Sequence, residues 1–185
     1  SIFYMNGLRL DTHFGQSFLS LRPAIALKRL VTQFPHDGWI LASANRACQS
    51  WFYSQGIPTV VQGTAYDGVP LPSVDVDMFS TARHGANVLL RKGHRNLALL
   101  IENTNYAGHV KTEQGFLDGV RQFSEDAAGN VFRHNGDATA LHRLVVRALE
   151  HHSPPTAFFI VNPYYYIAVA AILTESGLTV PKDVS

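Results

Sequence analysis

Apolar residues along this chain fall into two alternating patterns. Unbroken runs, "IFYM" at residues 2–5, "GWILAS" at 38–43, "PTVVQ" at 58–62, residues 96–101 and "TAFFIV" at 156–161, with a shorter "NVFRH" at 130–134, predict strands buried on both faces. Between them the spacing changes to three and four. Leu27, Leu30, Val31 and Phe34 form one such set; Cys48, Trp51 and Phe52 another; Phe79, Ala82, Ala86, Leu89 and Leu90 a third. Phe116, Val120 and Phe123, then Leu144, Val145, Ala148 and Leu149, then Ile167, Ala170, Ala171 and Leu173 complete the series. That spacing lines up one face of a helix.

The residues at the junctions agree with this division. Pro23 suits the first turn of a helix, Asn45 and Asp77 suit N-caps, and Gly56, Gly93 and Gly177 suit helix ends. In "LLRKGHRNLALL", residues 89–100, the charged K-G-H-R knot is then a helix end meeting a strand start, its basic residues facing solvent or the helix dipole.

Strands alternating with amphipathic helices predict a doubly wound α/β architecture with mostly parallel sheets covered on both faces. Residues 63–73 are richer in Gly and Pro and read as a linker, which sets one subdomain at 1–72 and a second at 73–185. In such folds ligands lie outside the carboxyl ends of the strands. The windows to search are therefore residues 43–45, 62–64, 102–109, 134–137 and 162–164.

Composition narrows the function classes. With 185 residues and a formal charge of +1, the chain can bury a real core but has no basic field or Lys/Arg run to hold nucleic acid by itself. Cys48 is the single cysteine, which excludes an intrachain disulfide and suits a cytoplasmic setting. No stretch reaches the length of a membrane span, so no membrane partner is expected.

Few side chains carry explicit chemistry. Asn162, directly before Pro163, is both an ordinary N-cap and a possible ligand contact; Asp137 is in the same position as loop cap or ligand contact. Tyr164, Tyr165 and Tyr166 cannot share a helix face, and only Tyr164, nearest the N-terminus, is placed for a site. Asn103, Asn105 and Tyr106 follow a strand and sit where a cleft would be. The nine histidines show no metal-binding spacing and read as surface residues, and Cys48 reads as packing. No nucleophile elbow, dinucleotide turn or phosphate loop occurs, so neither an enzyme nor a cofactor is expected.

Three stretches, taken together, resemble LacI/GalR-type transcription regulators: "SVDVDMFSTARHGANVLLRKGHRNLALL", "TEQGFLDGV" and "PTAFFIVNPYYYIAVAAILTESGLTVPKDVS". The likeness covers residues 36–185. It implies a periplasmic-binding-protein-like (type I) fold of two hinged subdomains around a cleft for a small effector, often a sugar or nucleobase. It also implies a homodimer, built through the helices around residues 24–33 and 45–55, and operator DNA held by a separate N-terminal domain. On that pattern the piece is truncated at both ends, lacking the first strand and helix and the V-G-[FY]-D strand that follows "DVS". Where such regulators commonly place an Arg before the G-F pair, this chain has Lys111 and Thr112. Asn162 keeps the ligand-contacting Asn but is followed by Pro163, and the aromatic residue after G-D is replaced by Ala138. The resemblance implies effector contacts at Asn162, Lys111, Thr112, Asp137, Tyr164, Asn103 and Tyr106. A free-standing solute-binding protein of the same fold is the alternative.

Overall fold

The fold is taken from a computed structural model that describes residues 7–185; the strand expected at 2–5 lies outside them. These residues separate into two units, dividing after Val74 rather than after Pro72. In the first unit β1 (Trp39–Ala42), β2 (Thr59–Gln62) and β3 (Ser73–Val74) lie parallel in the order β1-β2-β3. The end of the segment read as a linker is thus a strand, held by Val61 N–H donating to Pro72 O at 2.8 Å and Gly63 N–H to Val74 O at 2.9 Å. Its side chains are exposed, so no hydrophobic period marked it. A 3₁₀ turn at Gln16–Leu19 interrupts the loop before the first helix.

Helices α1 (Ala24–Gln33) and α2 (Arg46–Ser54) cover this sheet. Leu27, Leu30, Leu41, Cys48 and Phe52 form the buried core, with Trp39, Val31 and Trp51 packed against it. Phe34, expected on the buried face, is instead the C-cap residue of α1 and 37% exposed. Asn45 caps α2 as the sequence predicts, accepting from Cys48 N–H at 2.9 Å. Burial pushes the Cys48 thiol up to about 11, which keeps it protonated and unreactive, as a packing residue should be.

The second unit runs α3 (Met78–Arg91), β4 (Asn96–Glu102), α4 (Ala107–Phe123), β5 (Ala128–His134), α5 (Ala138–Leu149), β6 (Ala157–Ile160) and α6 (Pro163–Glu175). The strands are parallel in the order β5-β4-β6, so β4 is central. Its alternating side chains feed two cores. Leu97, Leu99 and Ile101 pack on one face with Ala82, Ala86, Leu90, Phe116 and Val120 of α3 and α4; Leu100 packs on the other with Leu141, Val145, Val169, Ile172 and Leu173 of α5 and α6. Each such fully buried leucine contributes roughly 1.5–3 kcal/mol.

Close helix approach explains the Gly115–Phe116 pair. A Cβ on Gly115 would sit 2.1 Å from Phe79 O and one on Gly119 2.8 Å from Arg83 O, so α3 and α4 touch backbone to backbone and only glycine fits. The K-G-H-R knot is the expected helix-to-strand turn, with Gly93 at φ +100° and Arg95 Nη1 donating to Leu90 O at 3.1 Å in the last turn of α3.

Candidate functional site

Strand order gives the second unit a candidate site. The chain leaves β4 into α4 on one face of the sheet, but leaves the neighbouring β6 into α6 on the other. Adjacent parallel strands whose following helices diverge leave a crevice at their carboxyl ends, the switch point where doubly wound folds hold ligands. Here that crevice is flanked by Glu102 at the end of β4 and by Asn162 and Tyr165 after β6, with His134 ending β5 next to Glu102.

The capping residues come out as the sequence suggests. Asn162 Oδ1 accepts from Tyr164 N–H at 3.0 Å and Asp137 Oδ1 from Ala140 N–H at 2.7 Å. No hydrogen bond among the described residues uses the Asn162 amide nitrogen, so the cap leaves a donor available. Tyr164 is 79% exposed beside it. Asn103 N–H donates to His134 O at 2.7 Å, fixing the loop while its own side chain stays exposed. Tyr106 lies edge-on to His109, ring centroids 5.9 Å apart, and His109 Nδ1 meets Thr104 Oγ1 at 2.6 Å. Lys111 is half-buried in the second turn of α4.

Thr112 turns out differently. It is 1% exposed and its hydroxyl donates to Gly108 O at 2.8 Å, so it packs into its own helix instead of presenting a group to a ligand. A threonine in a helix commonly satisfies its hydroxyl this way.

Three residues that sequence reasoning did not single out form the polar centre of the crevice. Tyr165 O–H donates to Glu102 Oε1 at 2.8 Å, and the Tyr165 ring meets the His134 ring edge-on at 4.2 Å. His134 is only 4% exposed, which corrects the reading of the histidines as surface residues. Gly136 N–H donates to His134 Nδ1 at 3.2 Å, so in the neutral ring the proton sits on Nε2, a buried atom with no partner among the described residues. Burial lowers the His134 pKa, with the Glu102 charge opposing and His109 adding to the drop. The hydrogen bond to Glu102, then burial, raises that of Tyr165. The set is therefore one carboxylate among neutral donors. Its members come from the ends of three elements, and the signal available in sequence was only that two of them fall in strand-end windows.

The first unit offers less. Gln49, 1% exposed, ties the exits of its strands, Nε2 donating to Ala44 O at 3.2 Å and Thr64 O at 3.3 Å while Oε1 accepts from Tyr66 N–H at 3.1 Å. An open depression lined by Ile25, Lys28, Arg29, Thr32 and Gln33 lies along α1 alone and lacks a second wall. Among the described residues no group of three or more His, Cys, Asp or Glu is placed to hold a metal, and no helix is long and apolar enough to cross a membrane.

Comparison with known proteins bears on this arrangement. Residues 86–185 match the periplasmic binding protein-like domain. The HTH-type transcriptional regulator RafR of Escherichia coli is 30% identical over 70 residues, 38% of this chain and 21% of that protein. A regulatory protein of the LacI family from Chloroflexus aggregans superposes with a TM-score of 0.80 at 21% identity, over 98% of this chain and 66% of its own. A LacI family transcriptional regulator from Enterococcus faecium, solved with bound ribose, gives a TM-score of 0.75 at 20% identity, over 100% of this chain and 67% of its own. The chain spans less than half the length of the curated relatives it matches.

Proposed function

This chain belongs to the periplasmic binding protein-like domain family, and from that premise we propose that it is an effector-binding domain of the LacI/GalR type, sensing a sugar or related small metabolite for a DNA-binding regulator. The observation that carries the proposal is the switch-point crevice of the second unit, where Asn162 caps α6 and still has a free amide donor beside the exposed Tyr164. The ribose held by the Enterococcus faecium neighbour supports a sugar as the effector class. Asn103, Tyr106, Asp137 and Lys111 supply the remaining polar rim.

Effector binding would act by favouring one arrangement of the domain over another, and so change operator affinity through a DNA-binding domain elsewhere in the polypeptide. We place the protein in the cytoplasm as a homodimer formed through the outer faces of α1 and α2. Ile25 at 79% and Tyr53 at 50% exposure are the apolar groups available there, whereas Phe52, at 1%, belongs to the core.

A thermal-shift screen of the purified chain against neutral sugars, sugar acids, sugar phosphates and nucleobases tests the reading, because a ligand that binds only the folded state raises Tm by mass action. The expected result is a hit that disappears in Asn162→Ala. A hit indifferent to Asn162→Ala moves the site away from the crevice.

A further inference from the structure

Glu102 has an unusual position for a carboxylate. It ends the central strand, at the switch point, and its one hydrogen-bond partner among the described residues is the Tyr165 hydroxyl. Arg133, on the adjacent strand, is held by both carboxylate oxygens of Glu113 rather than by Glu102. His134, which packs against Tyr165, receives Gly136 N–H on Nδ1, and burial, with His109 nearby, lowers its pKa and favours the neutral ring.

The nearby helix N-termini supply partial positive charge, which by itself favours an anion. That charge is partly drawn upon. The N-terminus of α5 is capped by the Asp137 carboxylate and that of α6 by the Asn162 amide oxygen, while that of α4 has no side-chain cap. Two carboxylates thus stand at the strand ends before any ligand arrives. A second anion brought against Glu102 would meet like charge in a partly water-excluded crevice, where such repulsion is strong. Hydroxyl or ammonium groups, by contrast, supply the protons a carboxylate accepts.

We propose that Glu102 determines effector specificity, admitting neutral or amino-bearing hydroxylated molecules and excluding uronic acids and sugar phosphates. The inference rests on the effector-domain reading and adds a charge rule to it. Tyr165 is the positioning residue, aiming Oε1 and leaving Oε2 for the ligand.

The test is a thermal-shift titration of the full chain with matched neutral, 2-amino, uronic-acid and 6-phosphate forms of glucose, galactose and mannose. For at least one sugar, the neutral or amino form should stabilise the protein at concentrations about tenfold or more below those its acid or phosphate needs. Glu102→Gln, whose amide oxygen can still accept from Tyr165, should shrink that ratio towards one. Tyr165→Phe keeps the charge but releases Oε1, and should weaken stabilisation by the neutral form while leaving it preferred over the acid. Raising the salt should also narrow the ratio in the wild type, an effect that a purely steric role for Glu102 would not show. Equal stabilisation by an acid and its neutral form in the wild type overturns the charge rule but leaves the effector reading standing, as does a ratio unchanged in Glu102→Gln. Should that variant fail to fold, the wild-type ratio and its salt dependence decide alone. Silence from every member of the panel removes the sugar-effector reading and the rule with it.

Discussion

Gln49 in the first unit and His134 in the second are both buried polar side chains beside the exits of parallel strands, yet their hydrogen bonding differs. Gln49 spends its amide fully, donating to Ala44 O and Thr64 O and accepting from Tyr66 N–H. His134 has its Nδ1 satisfied by Gly136 N–H while Nε2–H, equally buried, has no acceptor among the described residues. A satisfied buried amide fixes loops. An imidazole left with an open donor next to a carboxylate does not gain stability from that atom, which fits a place in the candidate site. The difference separates a brace from a candidate binding element within two sheets of the same parallel construction.

The largest expected effect breaks the brace. Gln49→Leu leaves two carbonyls and one N–H without partners and should cost about 3 kcal/mol, at roughly 1 kcal/mol or more per lost bond. His134→Leu removes a donor with no partner among the described residues, and Gly136 N–H is exposed enough to turn to water, so its cost should stay within about 1 kcal/mol. Urea denaturation of both variants checks the contrast. Similar losses in the two would show that His134 is a brace as well.

A smaller effect sharpens the same contrast through pH. The folded pKa of His134 lies below its ordinary value, burial being the main cause, so the unfolded chain takes up the proton first. The sign follows from linkage: stability from the neutral ring is fully present above the unfolded pKa of about 6.5 and is lost as pH falls through the folded value. His94, also lowered by burial, acts in the same direction. Comparing Tm at pH 7.5 and 5.5 in wild type and His134→Leu isolates the His134 share. The wild type should lose more on acidification, whereas parallel losses would mean that His134 titrates normally.

Much of this architecture is legible in the sequence because β4 and β6 of the second unit are apolar runs and three of its four helices carry a side-chain cap. Asp77, Asp137 and Asn162 all accept a backbone N–H within their helix's first turn, as local chemistry dictates. β3 is not legible, since two residues with both side chains exposed leave no period to read. The polar centre is hidden for another reason. Glu102, His134 and Tyr165 are far apart in sequence and meet only because β4 is central in the order β5-β4-β6, a fact of pairing that no local pattern encodes. Tyr165 was also masked by its neighbours: in a run of three tyrosines the sequence gives no reason to prefer the one that turns inward to Glu102 over the exposed Tyr164 and Tyr166.

The most direct test of the account is an NMR titration of the chain with histidine rings labelled, using whichever neutral sugar the thermal-shift panel identifies as stabilising. Because His134 is the buried ring at the switch point, its Nε2–H and ring carbon signals should move in step with binding. The exposed His151 and His152, beyond the far end of α5, should stay still. Saturable binding that leaves the His134 signals unchanged would contradict the assignment of the effector site to the carboxyl ends of β4, β5 and β6.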